Sequence, residues 1–132
     1  MTPIKYRTID VDGLDVFYRE AGPSDGPNLL LLHGFPSSSH MFRDLIPRLV
    51  DRFRVIAPDL PGFGRTSMPS REKFKYTFDN VARVIGRFTE VIGVDRFALY
   101  VFDYGAPTGF RIAMRHSGPS RRIAGNPWLT RR

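Results

Sequence analysis

The segment Leu99-Tyr100-Val101-Phe102-Asp103-Tyr104-Gly105-Ala106-Pro107 limits the fold more than any other part of the chain. It is an apolar run of β-branched and aromatic residues that ends in an acid. It then turns on small residues into a helix-compatible stretch from Thr108 to Met114. A strand that turns sharply into a helix pushes one side chain out at the top of a sheet, and the tight backbone there demands small neighbours. The side chain so placed is Asp103, with Gly105 and Ala106 as the small residues of the turn. A carboxylate in that position attacks saturated carbon and forms an ester. Its purely structural alternative is a helix cap, a position that Asp also favours.

The rest of the pattern says which sheet this strand joins. Ile4 to Thr8 and Leu14 to Glu20 read as two strands around the turn Asp12-Gly13. Asn28 to Leu32 and Phe53 to Pro58 are largely apolar runs, as in strands buried on both faces. Ser37, Ser38 and Ser39 offer capping hydroxyls before a helix predicted over Met41 to Val50, where Met41, Leu45, Leu49 and Phe42, Ile46 recur at helical spacing. A Gly/Pro loop spans Pro58 to Pro69. Thr77 caps a second helix through Ile92, with Val81, Ile85 and Phe88 on its apolar face, and Gly93 stops it. Arg96 to Phe102 is the last clear strand and Ala106 to Met114 the last clear helix. This alternation predicts an α/β domain with a mostly parallel sheet, helices on both faces and an antiparallel opening edge. Ligands in such sheets bind beyond the carboxyl ends of the strands, so the loops after Leu32, Ala57 and Phe102 share one rim.

Composition removes several chemistries. The absence of cysteine excludes disulfides, zinc-thiolate sites and thiol nucleophiles. His33, His40 and His116 lack the His-Glu-x-x-His spacing, so no metal cluster is expected. Met1-Thr2-Pro3-Ile4-Lys5 has no signal-peptide core, and no stretch approaches the roughly 20 apolar residues that cross a bilayer. The expectation is a cytoplasmic protein that does not engage membranes. The formal charge of +7 is uneven: residues 1–110 hold 14 Lys+Arg against 13 Asp+Glu, whereas residues 111–132 hold six Arg and no acid. With Trp128 the one aromatic residue of that basic end, nucleic-acid binding is disfavoured. The rival to an enzyme is a non-catalytic α/β module whose basic tail binds an acidic partner.

Three segments together resemble the α/β-hydrolase superfamily: His33-Gly34-Phe35-Pro36 after the third strand, Asp59-Leu60-Pro61-Gly62-Phe63-Gly64-Arg65-Thr66 after the fourth, and Phe102-Asp103-Tyr104-Gly105-Ala106 after the fifth. The resemblance covers roughly residues 4–116. In the superfamily's more familiar form the exposed elbow residue is Ser within Gly-x-Ser-x-Gly. Asp at the elbow resembles the haloalkane dehalogenase and epoxide hydrolase branch. The resemblance implies Asp103 as nucleophile on a small epoxide or alkyl halide, without cofactor, and backbone N–H groups of Phe35 and Tyr104 as the oxyanion hole. His33, Gly34 and Pro36 are implied as structural residues of the oxyanion loop, and the Asp59 loop as architecture of the rim. An esterase is disfavoured, because carboxylate attack on an ester gives only an anhydride. Many dehalogenases have Trp after the nucleophile and Asn or Trp to hold the halide, whereas this chain has Tyr104 and Phe35.

The family's fold continues with three more strands, a cap, an orienting acid and a catalytic His, and none of these can be placed after residue 116. Asp103 is the last acid and His116 the last histidine. Residues 1–116 therefore read as the N-terminal part of the core domain, and 117–132 as an irregular basic tail, with Ile123 to Trp128 too short and broken for a buried strand. The Arg/Pro/Gly/Ser composition of that tail predicts a frameshifted or truncated gene product, inactive alone. Without a sixth strand, Phe97 to Phe102 would form an exposed edge, with marginal stability and self-association as consequences.

Overall fold

A computed structural model describes residues 3–34, 37–101, 105–115 and 122–125 of the chain. Six strands form one sheet in the order β1-β2-β4-β3-β5-β6: β1 (Lys5–Val11), β2 (Leu14–Ala21), β3 (Asn28–Leu32), β4 (Arg54–Pro58), β5 (Ala98–Val101) and β6 (Arg122–Gly125). The pairs β1–β2 and β2–β4 are antiparallel, and β4–β3, β3–β5 and β5–β6 are parallel. The opening hairpin is longer than its apolar residues alone suggest. Ile9, Asp10 and Val11 continue β1 opposite Val16, Asp15 and Leu14, and the two-residue turn Asp12-Gly13 has positive φ at both positions, matching the twist of the strands it joins.

The sheet is covered on both faces, and the alternation along its strands shows why the central runs are apolar throughout. Leu30 and Leu32 of β3 and Leu99 and Val101 of β5 face α2 (Phe78–Val91) and α3 (Gly105–Arg115), in a core with Val81, Ile85, Phe88 and Ile112. Leu29 and Leu31 face the other way, against Phe42, Ile46 and Val50, with Ala98 and Tyr100 packed alongside. Thr77 caps α2 by accepting a hydrogen bond from the Asn80 backbone N–H at 3.1 Å.

Two expectations are corrected. The helix predicted over Met41 to Val50 is instead a 3-10 turn, Ser39–Phe42, followed by the single-turn helix α1 (Ile46–Leu49). Pro47 lies in the first turn of α1, and in a continuous helix it would lack the N–H for an i−4 bond and clash with the Arg43 carbonyl, so the helix restarts. The apolar face survives the break, with Phe42 and Ile46 both buried. The second correction concerns residues 122–125, which are not irregular: they form β6, in parallel register with Ala98 to Val101. β5 is therefore not an exposed edge. Four residues are too few to show a period, and what makes them a strand is the hydrogen-bonding partner that β5 supplies. The remaining residues of the basic end, 116–121 and 126–132, and His116 with them, lie outside the described residues. Arg111, counted with that end, belongs to α3 and pairs with Asp79 at 2.7 Å.

Candidate active site

The rim above β3, β4 and β5 is built around two buried ionisable side chains. His33 directly follows β3 and is fully buried. The Leu60 backbone N–H donates to its Nε2 at 2.9 Å, and its Nδ1 donates to the Gly34 carbonyl at 2.8 Å. A nitrogen that accepts carries no proton, so the ring is the neutral Nδ1–H tautomer. Burial pushes its pKa down, opposed by the Gly34 hydrogen bond and by the Asp59 charge. With both nitrogens engaged, His33 ties the loop after β3 to the loop after β4 and has no lone pair free to take a substrate proton.

Asp59 does the same work from β4. Its Oδ1 accepts from the Ser39 N–H at 2.7 Å and its Oδ2 from the Arg65 N–H at 2.8 Å. Its own N–H donates to Phe17 O at 2.8 Å, and its carbonyl accepts from Thr66 Oγ1 at 2.6 Å. The Thr66 hydroxyl oxygen in turn accepts from the Phe17 N–H at 3.0 Å. The loop can close this tightly because Gly64 adopts a φ of 56°, and a Cβ there would stand 2.1 Å from Asp59 Oδ2. Arg19, buried on β2, donates from Nε to Ser39 Oγ at 2.9 Å and stacks on Tyr6, its Cζ 5.0 Å from the ring centroid. The pattern of apolar runs passed over Arg19 and Thr66. The visible signal was a cation interrupting the buried run Val16-Phe17-Tyr18 before Ala21.

The third part of the rim is the turn from β5 into α3. β5 ends at Val101 and α3 begins at Gly105, with residues 102–104 between them. A Cβ on Gly105 would lie 2.4 Å from the Leu32 carbonyl oxygen and 2.8 Å from that of His33. Gly109, one turn on, would meet Val101 Cγ1 at 2.5 Å. Ala106 is buried. The small residues of the turn are thus set by the close approach of α3 to the ends of β3 and β5. His33, Gly34, Gly105 and Ala106 come together at one rim, joined there by the Asp59 loop. Phe35, Pro36, Asp103 and Tyr104 lie outside the described residues.

Residues 27–125 match the alpha/beta hydrolase fold family. The chain belongs to that family. It is 53% identical over 110 residues to an uncharacterized hydrolase of Saccharomyces cerevisiae, covering 83% of this chain and 37% of the yeast protein. It is 39% identical over 128 residues to haloalkane dehalogenase 2 of Mycobacterium tuberculosis, covering 96% of this chain and 43% of the relative. A solved epoxide hydrolase of Vigna radiata superposes with a TM-score of 0.82 at 31% identity, over 92% of this chain and 38% of that one. The chain thus spans about two fifths of the length of these hydrolases. Among the described residues, no helix is long and apolar enough to cross a membrane, and no cluster of His, Cys, Asp or Glu is arranged to hold a metal ion.

Proposed function

We propose that this chain carries the nucleophile half of an aspartate-dependent hydrolase site, acting on a small epoxide or alkyl halide. An Asp103 oxygen bonds to the substrate carbon as the carbon–oxygen bond of the epoxide, or the carbon–halogen bond, breaks. The electron pair leaves with the epoxide oxygen, which takes a proton from water, or with the halide. The product is an alkyl ester of Asp103, and the backbone N–H groups of Phe35 and Tyr104 would have the role of holding negative charge on its carbonyl oxygen. What carries the reading is the β5–α3 turn: Gly105 sits where no Cβ fits, directly after the three residues of which Asp103 is the centre. The named activities of the dehalogenase and epoxide hydrolase relatives support the substrate class.

Hydrolysis of the ester needs a base, and His33, locked on both nitrogens, is not suited to it. On this reading the described part of the site is alkylated once and does not turn over. Incubation with styrene oxide or 1-bromobutane, followed by intact-mass and peptide analysis, tests this. The expected result is one adduct on the peptide containing Asp103, absent from Asp103→Asn, with no diol or alcohol accumulating. A folded chain that takes no adduct, or an Asp103→Asn chain that takes the same adduct, overturns it. The relative yields of the two reagents separate epoxide from halide chemistry.

A further inference from the structure

We propose that Arg19 of β2 and Arg65 of the loop after β4 form a binding site for a phosphate group, free or as the monoester of a small molecule. Among the described residues Arg19 is the one buried cation, at 8% exposure. Arg7, Arg54, Arg87 and Arg111 each pair with a carboxylate, and Arg19 pairs with none among the described residues. Its surroundings are neutral. Nε donates to Ser39 Oγ at 2.9 Å and Nη2 reaches His40 Nδ1 at 3.5 Å. The guanidinium lies against two rings, its Cζ 5.0 Å from the centroid of Tyr6 and 5.8 Å from that of Phe17. Aromatic faces attract a cation but accept none of the N–H bonds that lie in its plane. Buried charges are ordinarily paired, because leaving one without a counter-charge is costly.

The free donor of Arg19 is presented to solvent. Asn28 Oδ1 and Thr108 Oγ1 are the side-chain polar atoms among the described residues that are both closed off and unbonded. No nitrogen of Arg19 is with them, so its unbonded Nη1 is accessible although most of the side chain is covered. Arg65 approaches the same Phe17 ring, its Cζ 5.1 Å from the centroid, and is exposed. It too has no ion pair among the described residues. Asp59 accepts from the backbone N–H groups of Ser39 and Arg65 and pairs with neither guanidinium. The donor geometry selects the ligand. One guanidinium fork takes two oxygens of an anion. A carboxylate is filled by a single fork, whereas a phosphate has oxygens left for a second. Two forks bordering one ring therefore fit a phosphate. The Tyr6 ring beside Arg19 is 58% exposed and offers a surface for the organic group of an ester.

The probes are inorganic phosphate, phenyl phosphate and acetate, titrated calorimetrically into the full chain at pH 7.5 and constant ionic strength. Thermal melts establish that each variant is folded. Phosphate should saturate one site per chain, and acetate should bind about tenfold more weakly or worse. Arg19→Lys keeps the charge, loses the fork, and should weaken phosphate about tenfold. Arg65→Ala should weaken it about threefold or more. Arg65 is exposed, so this variant keeps the test open whatever Arg19→Lys does to the fold. Arg83 is exposed on α2, which packs on the opposite face of the sheet, against Val16 and Tyr18. Arg83→Ala should stay within about twofold of wild type. Asp103→Asn should bind phosphate as wild type does, which keeps this site independent of the alkylation chemistry. Phenyl phosphate binding more tightly than phosphate, a preference lost in Tyr6→Ala, assigns the site to a monoester; equal binding assigns it to free phosphate. Absence of saturable phosphate binding overturns the proposal. So does acetate binding as tightly as phosphate, or equal losses in Arg65→Ala and Arg83→Ala, which would reduce the effect to attraction by the net charge of +7.

Discussion

Lowering the pH should destabilise the fold through His33 specifically. The imidazole is buried, accepts from the Leu60 N–H and donates to the Gly34 carbonyl. Protonation would add a charge in a desolvated site and break the bond to Leu60. Burial thus lowers the native pKa below its ordinary value of 6.5, so the unfolded chain takes up the proton first. The stability contributed by the neutral ring is therefore fully present above 6.5. It falls as the pH drops below that value, and the loss ends once the pH is below the native pKa. The slope is limited to about 1.4 kcal/mol per pH unit, so going from about pH 7.5 to 5.5 costs up to about 1.4 kcal/mol at this site. For a chain of this size that shifts a urea midpoint by about 0.5 to 1 M. The measurement is a difference between wild type and a variant that lacks the imidazole. His33→Gln cannot protonate but can still accept from Leu60, and its midpoint should move less over the same interval by that amount. Equal shifts in wild type and His33→Gln would refute the assignment of His33 as the buried neutral ring that joins the two loops.

Three further perturbations test the rim and its surroundings by urea unfolding at neutral pH. Asp59→Asn turns one of the two acceptors facing Ser39 N and Arg65 N into a donor. It should cost about 2–3 kcal/mol, the scale of a hydrogen bond to a charged group, and a loss below about 0.5 kcal/mol would contradict the role given to the carboxylate. Gly105→Ala drives a Cβ to 2.4 Å from the Leu32 carbonyl. The expected loss is about 1–3 kcal/mol or more, and an unchanged midpoint would mean that α3 does not approach β3 so closely. Arg111→Ala removes an ion pair whose side chains are 40% and 70% exposed. It should cost less than about 1 kcal/mol, and a larger loss would show that the pair holds α2 to α3 more firmly than its exposure allows.

Most of the sheet was legible because its central strands are buried on both faces and so read as unbroken apolar runs. β3 begins and ends where that run does, and α2 lies between a capping Thr and a Gly. The failures have separate physical causes. The helix after β3 has the right apolar spacing, but Pro47 overrides it locally. β6 has no periodic signal of its own and exists through its register with β5. β1 continues through Asp10 because strand pairing, not side-chain polarity, decides where a hairpin arm ends. At the site, the sequence motifs located the loops but not their bonds. That His33 meets Leu60, or that Asp59 meets Ser39 and Arg65, follows from contacts between residues 20 to 27 positions apart in two cases and six in the third. Only the last is local enough for a sequence pattern to suggest it.

Those bonds also change what the motifs mean chemically. A histidine and an aspartate beside an elbow look, on paper, like a base and its orienting acid. In the fold each spends its hydrogen-bonding capacity on backbone groups: His33 on Leu60 and Gly34, Asp59 on Ser39 and Arg65. Neither can release those partners without leaving a buried N–H or C=O unpaired, a cost comparable to the hydrogen bond itself. Through these two side chains the rim is therefore a rigid frame and not proton-transfer machinery. On the reading proposed above, the two halves of the double displacement are separated: Asp103 would form the ester, while the group that cleaves it must come from residues other than His33 and Asp59.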